Sequence, residues 1–208
     1  TVSGLGLASG GTIGTPLTVV NTQALQFNGS STIAGATIIN TPGSTTSWTN
    51  GNLAFANRAT FINQESATFS IACAGQQLLR DAVTGALSVF RNLGLITKSV
   101  AGAITLNPGS LVNSGTVQIP TGSAFTFGPL SNAGSVNVLG NATFANGGIN
   151  TAAITVSGVA SFTGGKFTVA KGSTLSVAAT GSTVVAGGQL DLVGNVTVAP
   201  AATLGATS

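Results

Sequence analysis

Apolar and polar residues alternate along most of the chain in short runs, which Gly, Asn, Ser or Pro separate. Within a run, apolar residues alternate with Thr, Ser, Gln or Asn, the period of a strand that buries one face. The runs that we expect to be strands are residues 17–20, 24–27, 36–39, 67–71, 116–119, 154–156, 166–169, 174–177 and 189–192. Such short strands with frequent turns fit a sandwich, a barrel or a β-solenoid.

One phrase, Leu-x-Asn-x-Gly-x-Val-x-φ with φ being Ile or Val, is written three times at steps of 21 and 19 residues. Its copies are Phe90, Asn92, Gly94 and Ile96; Leu111, Asn113, Gly115, Val117 and Ile119; and Leu130, Asn132, Gly134, Val136 and Val138. A unit that returns every 20 residues or so indicates stacked repeats, each burying its apolar face against its neighbours. We therefore predict one all-β solenoid domain over residues 1–208, with about ten coils and a length of roughly 50 Å.

The asparagine of the phrase has a predicted structural role. Asn92, Asn113 and Asn132 keep their offsets to the flanking apolar residues, so their side-chain amides can form a hydrogen-bonded ladder along the axis. The alternative is that Asn-x-Gly is only a common turn pattern. Gly94, Gly115 and Gly134 would let the chain bend. The predicted stacked core is Phe90, Ile96, Leu111, Val117, Leu130 and Val136.

A second phrase favours a solenoid over a sandwich. A large apolar residue leads into a tight Gly or Asn turn, and a strand follows, at residues 48–55, 162–169 and 185–192 and more weakly at 144–149. These positive-φ-tolerant turns would be corners between two sheets of a coil. Residues 74–90 depart from the pattern, because Leu79, Val83 and Leu87 have spacings that a helix accepts. This segment, near 75–90, is a short helix, a flap, or a coil with an enlarged turn.

Charge is scarce, with nine charged residues in 208 and no His. The six cations are too scattered for the basic stripe of a nucleic-acid-binding protein: Arg58, Arg80, Arg91, Lys98, Lys166 and Lys171. Cys73 is the single cysteine and is expected to be a small buried hydrophobe. No run of 18 apolar residues lacks Gly, Ser, Thr or Asn, so we expect no membrane-spanning helix.

The residues needed for chemistry are sparse. Glu65, Asp81 and Asp191 are all the acids, where glycan lyases and hydrolases need paired carboxylates or a calcium-binding cluster. Without His, no Cys/His metal site or His-based triad can form. We expect no enzyme and no cofactor. Three sequons, at Asn28, Asn141 and Asn195, are candidate N-glycosylation sites.

Residues 67–127 resemble the β-strand repeats of very large secreted and surface-anchored proteins. The match is Phe90-Arg91-Asn92-Leu93-Gly94-Leu95-Ile96-Thr97-Lys98-Ser99, followed by Leu111-Val112-Asn113-Ser114-Gly115-Thr116-Val117-Gln118-Ile119. Such proteins are adhesins, autotransporter-like passengers and extracellular fibres. The resemblance implies a single-stranded right-handed parallel β-helix and an extracellular or cell-surface location, but no ligand.

Together these features predict an extracellular structural or adhesive β-solenoid, acting as a stiff spacer or as a self-assembling fibre subunit. Neither end of the sequence resembles a cap, so we expect a fragment of a longer solenoid or a subunit that stacks. Its expected partners are other copies, flanking repeats of the same chain or surface polysaccharide. The alternative is an ice- or glycan-binding solenoid with a flat Thr/Ser-rich face, against which the irregular spacing of 19 to 23 residues argues.

Overall fold

The computed structural model describes residues 5–8, 11–80 and 87–207. These residues form 29 strands and no helix. The strands are β1 (Leu5–Ala8), β2 (Thr12–Gly14), β3 (Thr18–Asn21), β4 (Ala24–Asn28), β5 (Ser31–Ala34), β6 (Thr37–Asn40), β7 (Thr45–Asn50), β8 (Leu53–Ala56), β9 (Thr60–Asn63), β10 (Thr68–Ile71), β11 (Gln76–Arg80), β12 (Val89–Asn92), β13 (Leu95–Lys98), β14 (Gly102–Asn107), β15 (Ser110–Asn113), β16 (Thr116–Ile119), β17 (Ser123–Phe127), β18 (Leu130–Asn132), β19 (Ser135–Val138), β20 (Asn141–Phe144), β21 (Gly148–Asn150), β22 (Ala153–Val156), β23 (Val159–Phe162), β24 (Lys166–Val169), β25 (Thr174–Val177), β26 (Ser182–Ala186), β27 (Gln189–Leu192), β28 (Asn195–Val198) and β29 (Thr203–Thr207).

Every third strand belongs to the same parallel sheet, which makes the chain a β-solenoid with three strands per coil. Sheet 1 contains ten strands from β1 to β28, sheet 2 ten strands from β2 to β29, and sheet 3 nine strands from β3 to β27. The predicted fold class is therefore confirmed, with nine complete coils and two strands of a tenth in the described residues.

Of the three alternatives for residues 75–90, a short helix, a flap or a coil with an enlarged turn, the helix is wrong for the part that the structure describes. Gln76–Arg80 is strand β11, which pairs in parallel with β8 on one side and β14 on the other. Leu78 is buried, because pairing on both sides aligns its side chain with the core. Two neighbouring ladders outweigh a weak helical pattern, since propensity is overridden by tertiary context. Residues 81–86 lie outside the described residues.

The core fills the space between the three sheets. In most strands an outward residue alternates with a buried one, as the sequence pattern predicts. The predicted core residues are all at most 2% exposed: Phe90, Ile96, Leu111, Val117, Leu130 and Val136. Because neighbouring coils pair in register, identical side chains stack, as Phe127, Phe144 and Phe162 do in sheet 2 with ring centroids 5.3 and 4.8 Å apart.

The corners absorb the irregular repeat length. Between sheets 3 and 1, two residues separate Asn92 from Leu95, whereas four separate Asn63 from Thr68. The longer corner contains Ser66 at φ 61°. Strand pairing on either side stays one to one, as Thr68↔Leu95 and Asn63↔Asn92 show. The difference in length between these two corners therefore leaves the register of the adjoining strands unchanged.

Candidate functional site

A column of buried asparagine side chains runs along the inner side of sheet 3. The structure places the three asparagines of the repeated phrase in this column, together with four more. Each Nδ2 except that of the last residue, Asn150, donates to the Oδ1 of the asparagine in the next coil, at 2.6 to 2.8 Å. The column, called the asparagine ladder below, consists of Asn21, Asn40, Asn63, Asn92, Asn113, Asn132 and Asn150.

The second amide proton of each side chain is also used. Asn92 and Asn113 donate to the backbone oxygens of Thr116 and Ser135, which begin the next strands of sheet 1, both at 3.1 Å. Each ladder asparagine is at most 1% exposed. A buried polar network in which every member is satisfied rigidifies a core, whereas one lost partner leaves a costly unpaired group. The ladder thus links successive coils and also ties sheet 3 to sheet 1.

The sequence phrase missed four ladder residues because it required Gly two positions after Asn. Asn21 is followed two residues later by Gln23, and Asn150 by Ala152. The more general signal is an Asn that ends a short strand, as in Val19-Val20-Asn21 and Phe61-Ile62-Asn63. The glycine is a local feature of some corners.

The glycines of the phrase are required by close approach between coils. Gly94, Gly115 and Gly134 do not have positive φ. A Cβ on Gly115 would collide with the backbone of Leu93 and Gly94 in the preceding coil. Tight corners therefore stack directly on one another, and a side chain at this position would push them apart.

Lys98 is buried, as its position in the repeated phrase could have predicted. It occupies the last position of the phrase, where the other two copies have Ile119 and Val138. Its side chain enters the core at the corner between sheets 1 and 2, where Nζ donates to the carbonyl oxygen of Cys73. Burial lowers the pKa of Lys98 and raises the pKa of the Cys73 thiol. Cys73 is a buried, free thiol.

The carboxylates do not form a cluster in the described residues. Asp191 forms an ion pair with Lys166, with Nζ and Oδ2 2.6 Å apart. Its Oδ1 also accepts a hydrogen bond from Gln189 Nε2 at 2.7 Å. These contacts hold the pKa of Asp191 below its usual value, the Lys166 contact more strongly. Glu65 is exposed in the corner that follows β9. Asp81 lies outside the described residues.

The outer side of sheet 1 presents uncharged side chains in register, most of them polar, with Ala24, Leu95 and Ala153 as apolar interruptions in one column. From β4 to β28 its two outward columns contain no charged residue. We call this surface the hydroxyl face. Its first column is Ala24, Thr45, Thr68, Leu95, Thr116, Ser135, Ala153, Thr174 and Asn195, and its second is Gln26, Ser47, Ser70, Thr97, Gln118, Asn137, Thr155, Ser176 and Thr197.

A shallow depression of about 450 Å³ lies at the edge of the hydroxyl face. It adjoins the long corner at Ser66 and the tight corners at Gly94 and Gly115, and Leu93 and Leu95 contribute its apolar lining. Its size falls within the range of small-molecule sites, but it is open rather than enclosed.

The three sequon asparagines, Asn28, Asn141 and Asn195, are exposed. Asn141 and Asn195 begin strands of sheets 2 and 1, and Asn28 ends a strand of sheet 1. Their side chains are accessible, and their glycosylation stays a prediction.

Within the described residues, no group of three or more His, Cys, Asp or Glu side chains could hold a metal ion. The same part of the chain contains no helix long and apolar enough to cross a membrane. No protein-family model, curated protein or solved structure matches the chain. Its function must therefore be argued from the solenoid and its surfaces.

Proposed function

We propose that this chain is a structural rod of the extracellular surface, a stiff spacer that also associates with copies of itself. The observation that carries the proposal is the asparagine ladder, a line of side-chain hydrogen bonds through seven successive coils. It runs parallel to three backbone ladders.

The ladder makes the rod stiff because bending that separates the coils on the sheet 3 side would break its hydrogen bonds. The amide contacts of 2.6 to 2.8 Å leave little room for the coils to separate on the sheet 3 side. Breaking one contact would leave a buried donor and a buried acceptor without a hydrogen-bond partner, at a cost of about 1–3 kcal/mol each. At a coil spacing of about 4.8 Å, nine coils extend roughly 45 Å.

Two features support the surface location and the self-association. The repeated phrase resembles that of surface-anchored adhesins, and few charges oppose contact between copies. On the hydroxyl face the short Ser and Thr side chains lose little rotamer entropy when another molecule covers them. The partners that we propose are further copies, flanking repeats or surface polysaccharide, and the rod uses no cofactor.

Small-angle scattering and analytical ultracentrifugation of the purified chain test the rod and its association. We expect an elongated particle with a long axis of roughly 45 Å per chain, and an average mass that rises with concentration. A compact particle that stays monomeric at millimolar concentration would contradict both parts. Antibody labelling of intact and permeabilised source cells tests the location, and labelling only after permeabilisation would contradict it.

Enzymatic activity is not part of the proposal. The described acids are separate, with Asp191 engaged by Lys166 and Glu65 exposed in a corner. Hydrolysis or elimination of acidic glycans that survives substitution of Glu65, Asp81 and Asp191 would show that this interpretation of the carboxylates is wrong.

A second candidate function is favoured by the hydroxyl face. The irregular repeat spacing does not disrupt an in-register polar surface, because the corners absorb it. Pairs such as Thr45↔Thr68 and Ser47↔Ser70 place hydroxyl groups at corresponding positions in adjacent coils. The second column, from Gln26 to Thr197, is polar in every coil. Such a row of neutral donors and acceptors at about 4.8 Å intervals is suited to ice or to a neutral glycan.

Lysine substitutions test this candidate. Thr68→Lys and Thr116→Lys introduce charge into the hydroxyl face, while Thr126→Lys does so on the outer side of sheet 2 as a matched control. If the face binds, the first two variants should reduce thermal hysteresis or retention on neutral polysaccharide, and the control should not. Equal loss in all three, or no binding by the unmodified chain, would remove this candidate.

A further inference from the structure

The depression at the edge of the hydroxyl face lies where long corners give way to tight ones. Residues 41–44 and 64–67 are two stacked four-residue corners between sheets 3 and 1, and the backbone N–H of Gly43 donates to the backbone oxygen of Ser66. The next corner, residues 93–94, and the three after it have two residues each. Because a four-residue corner projects further than a two-residue corner, the surface steps inward here and leaves the depression of about 450 Å³.

The floor of the depression combines an apolar side chain with two hydroxyl groups. In the first column of the hydroxyl face, Leu95 lies directly between Thr68 and Thr116, which are one coil away on either side, at about 4.8 Å per coil. Leu93, which is 38% exposed, extends the apolar surface at the corner. In the described part of the chain, the hydroxyls of Ser66, Thr68 and Thr116 make no hydrogen bond, so each is available to donate and to accept.

The asparagine ladder holds this floor in place. The backbone oxygen of each of the three floor residues accepts a hydrogen bond from a ladder asparagine, at 3.0 or 3.1 Å. The donors are Asn40, Asn63 and Asn92. The tight corners add no side chain at Gly94 and Gly115, where a Cβ would collide with the backbone of the preceding coil. The site is therefore formed before a ligand arrives, and binding need not order it.

We propose that this depression binds a pyranose unit of a neutral polysaccharide, a site that rests on the second candidate function and gives it one location. A pyranose ring has an apolar C–H face and an edge that carries hydroxyl groups. Leu93 and Leu95 cover the C–H face, while the hydroxyls of Thr68 and Thr116 exchange hydrogen bonds with the edge. No side chain among the described residues of the lining is charged. A carboxylate or sulfate on the sugar would find no cation there, so the ligand is uncharged.

Titration of the unmodified chain with maltose, cellobiose, lactose and N,N′-diacetylchitobiose tests the site, and the NMR methyl resonances of Leu93 and Leu95 report binding. We expect at least one disaccharide to shift these resonances saturably, with a Kd of about 1 mM because the depression is open. Digalacturonic acid should bind more weakly than that disaccharide. No shift with any of the four neutral sugars, or equally strong binding of digalacturonic acid, would overturn the proposal. This measurement needs no variant.

Leu93→Asp and Leu139→Asp are a matched pair of variants. Both leucines are exposed, by 38% and 45%, and each precedes the glycine of a two-residue corner, at opposite edges of sheet 1. Leu93→Asp should raise the Kd of the disaccharide at least about tenfold, because it replaces an apolar contact with a charge. Leu139→Asp should leave the Kd unchanged. Equal affinity of the two variants, whether reduced or not, would contradict the site.

Ser176→Lys separates the depression from the rest of the hydroxyl face. Ser176 lies in the second column, three coils or about 14 Å beyond the strand that carries Thr116, so a disaccharide in the depression does not reach it. This variant should bind the disaccharide normally. Retention on an insoluble neutral polysaccharide that falls in Ser176→Lys but not in Leu93→Asp would keep the second candidate function and overturn the depression as its site.

Discussion

The first seven coils and the last two coils of this rod differ in the residue that ends the strand of sheet 3. From Asn21 to Asn150 the inward residue that ends each strand of sheet 3 is an amide, whereas β24 and β27 end in Val169 and Leu192. Asn150 and Val169 are register partners, so the ladder stops there. Asn150 Nδ2 donates only to the backbone oxygens of Ala152 and Thr174, at 3.2 and 3.1 Å.

This difference shows that filling the buried position at the corner does not itself require an amide. Val169 is fully buried without any hydrogen bond from its side chain, so an apolar residue fits the corner. A slip of one residue in a strand would take its asparagine out of the column and leave the amides of the neighbouring coils unpaired, a cost that an apolar column does not have. We conclude that the ladder also helps to fix the register of the strands of sheet 3.

The largest effect is expected from breaking the ladder in its middle. Asn113→Leu removes the 2.7 Å acceptor of Asn92 Nδ2 and the 2.7 Å donor to Asn132 Oδ1. The buried oxygen of Asn132 then keeps only the longer contact from the Gly134 amide, at 3.4 Å. We expect a loss of about 3–5 kcal/mol in the free energy of unfolding, measured with urea. Ser131→Ala, on the exposed side of the same sheet, is the control and should change stability by less than about 0.5 kcal/mol. Equal stability of the two variants would show that the ladder is not structural.

Gly115→Ala tests the tight corners. The added Cβ would meet the backbone of Leu93 and Gly94, so we expect a loss of about 2–3 kcal/mol. The corner after Asn150 already has Ala152 at the corresponding position. Ala152→Gly should therefore cost less than about 1 kcal/mol, mainly through backbone entropy. The same urea titration measures both, and a larger cost for Ala152→Gly would contradict the close-approach explanation.

Extending the ladder by one coil should have a smaller effect. In Val169→Asn the new oxygen can accept from Asn150, which offsets part of the lost burial of Val169. The new amide would face Leu192, which is 43% exposed, so water can form hydrogen bonds with the amide. We expect a loss of about 1 kcal/mol in thermal or urea unfolding. A loss as large as that of Asn113→Leu would show that the last coils reject an amide.

The smallest effect is expected at the ion pair on the outer side of sheet 3 in the last coils. The contacts from Lys166 and Gln189 lower the pKa of Asp191, so its ionised form stabilises the fold. This contribution is present above the ordinary pKa of about 3.9 and is lost as the pH falls through the lower folded value. The midpoint difference between the unmodified chain and Asp191→Asn should be small at pH 6 and should decrease as the pH falls below the ordinary pKa. A difference that grows on acidification would contradict this sign.

Sequence reasoning placed the strands more reliably than it placed the long connection. The runs at 116–119, 166–169 and 174–177 coincide with β16, β24 and β25, because period-two alternation directly reports burial in a sheet. The weak helical spacing at residues 76–80 gave way to two parallel neighbours, which no local pattern reveals. Lys98 is one of six scattered cations in the sequence, but its place in the repeated phrase is that of a core residue.

Side-chain alternation and a recurring phrase are local properties of the chain, and they are enough to show that this protein is a stack of short strands with an apolar interior. Which residues share a column depends instead on tertiary packing. The corners vary from two to eight residues, so distance along the chain does not predict the neighbour in the next coil. Register, set by backbone pairing and by buried amides that must find partners, is what brings Asn21 into line with Asn150 and Lys98 to Cys73.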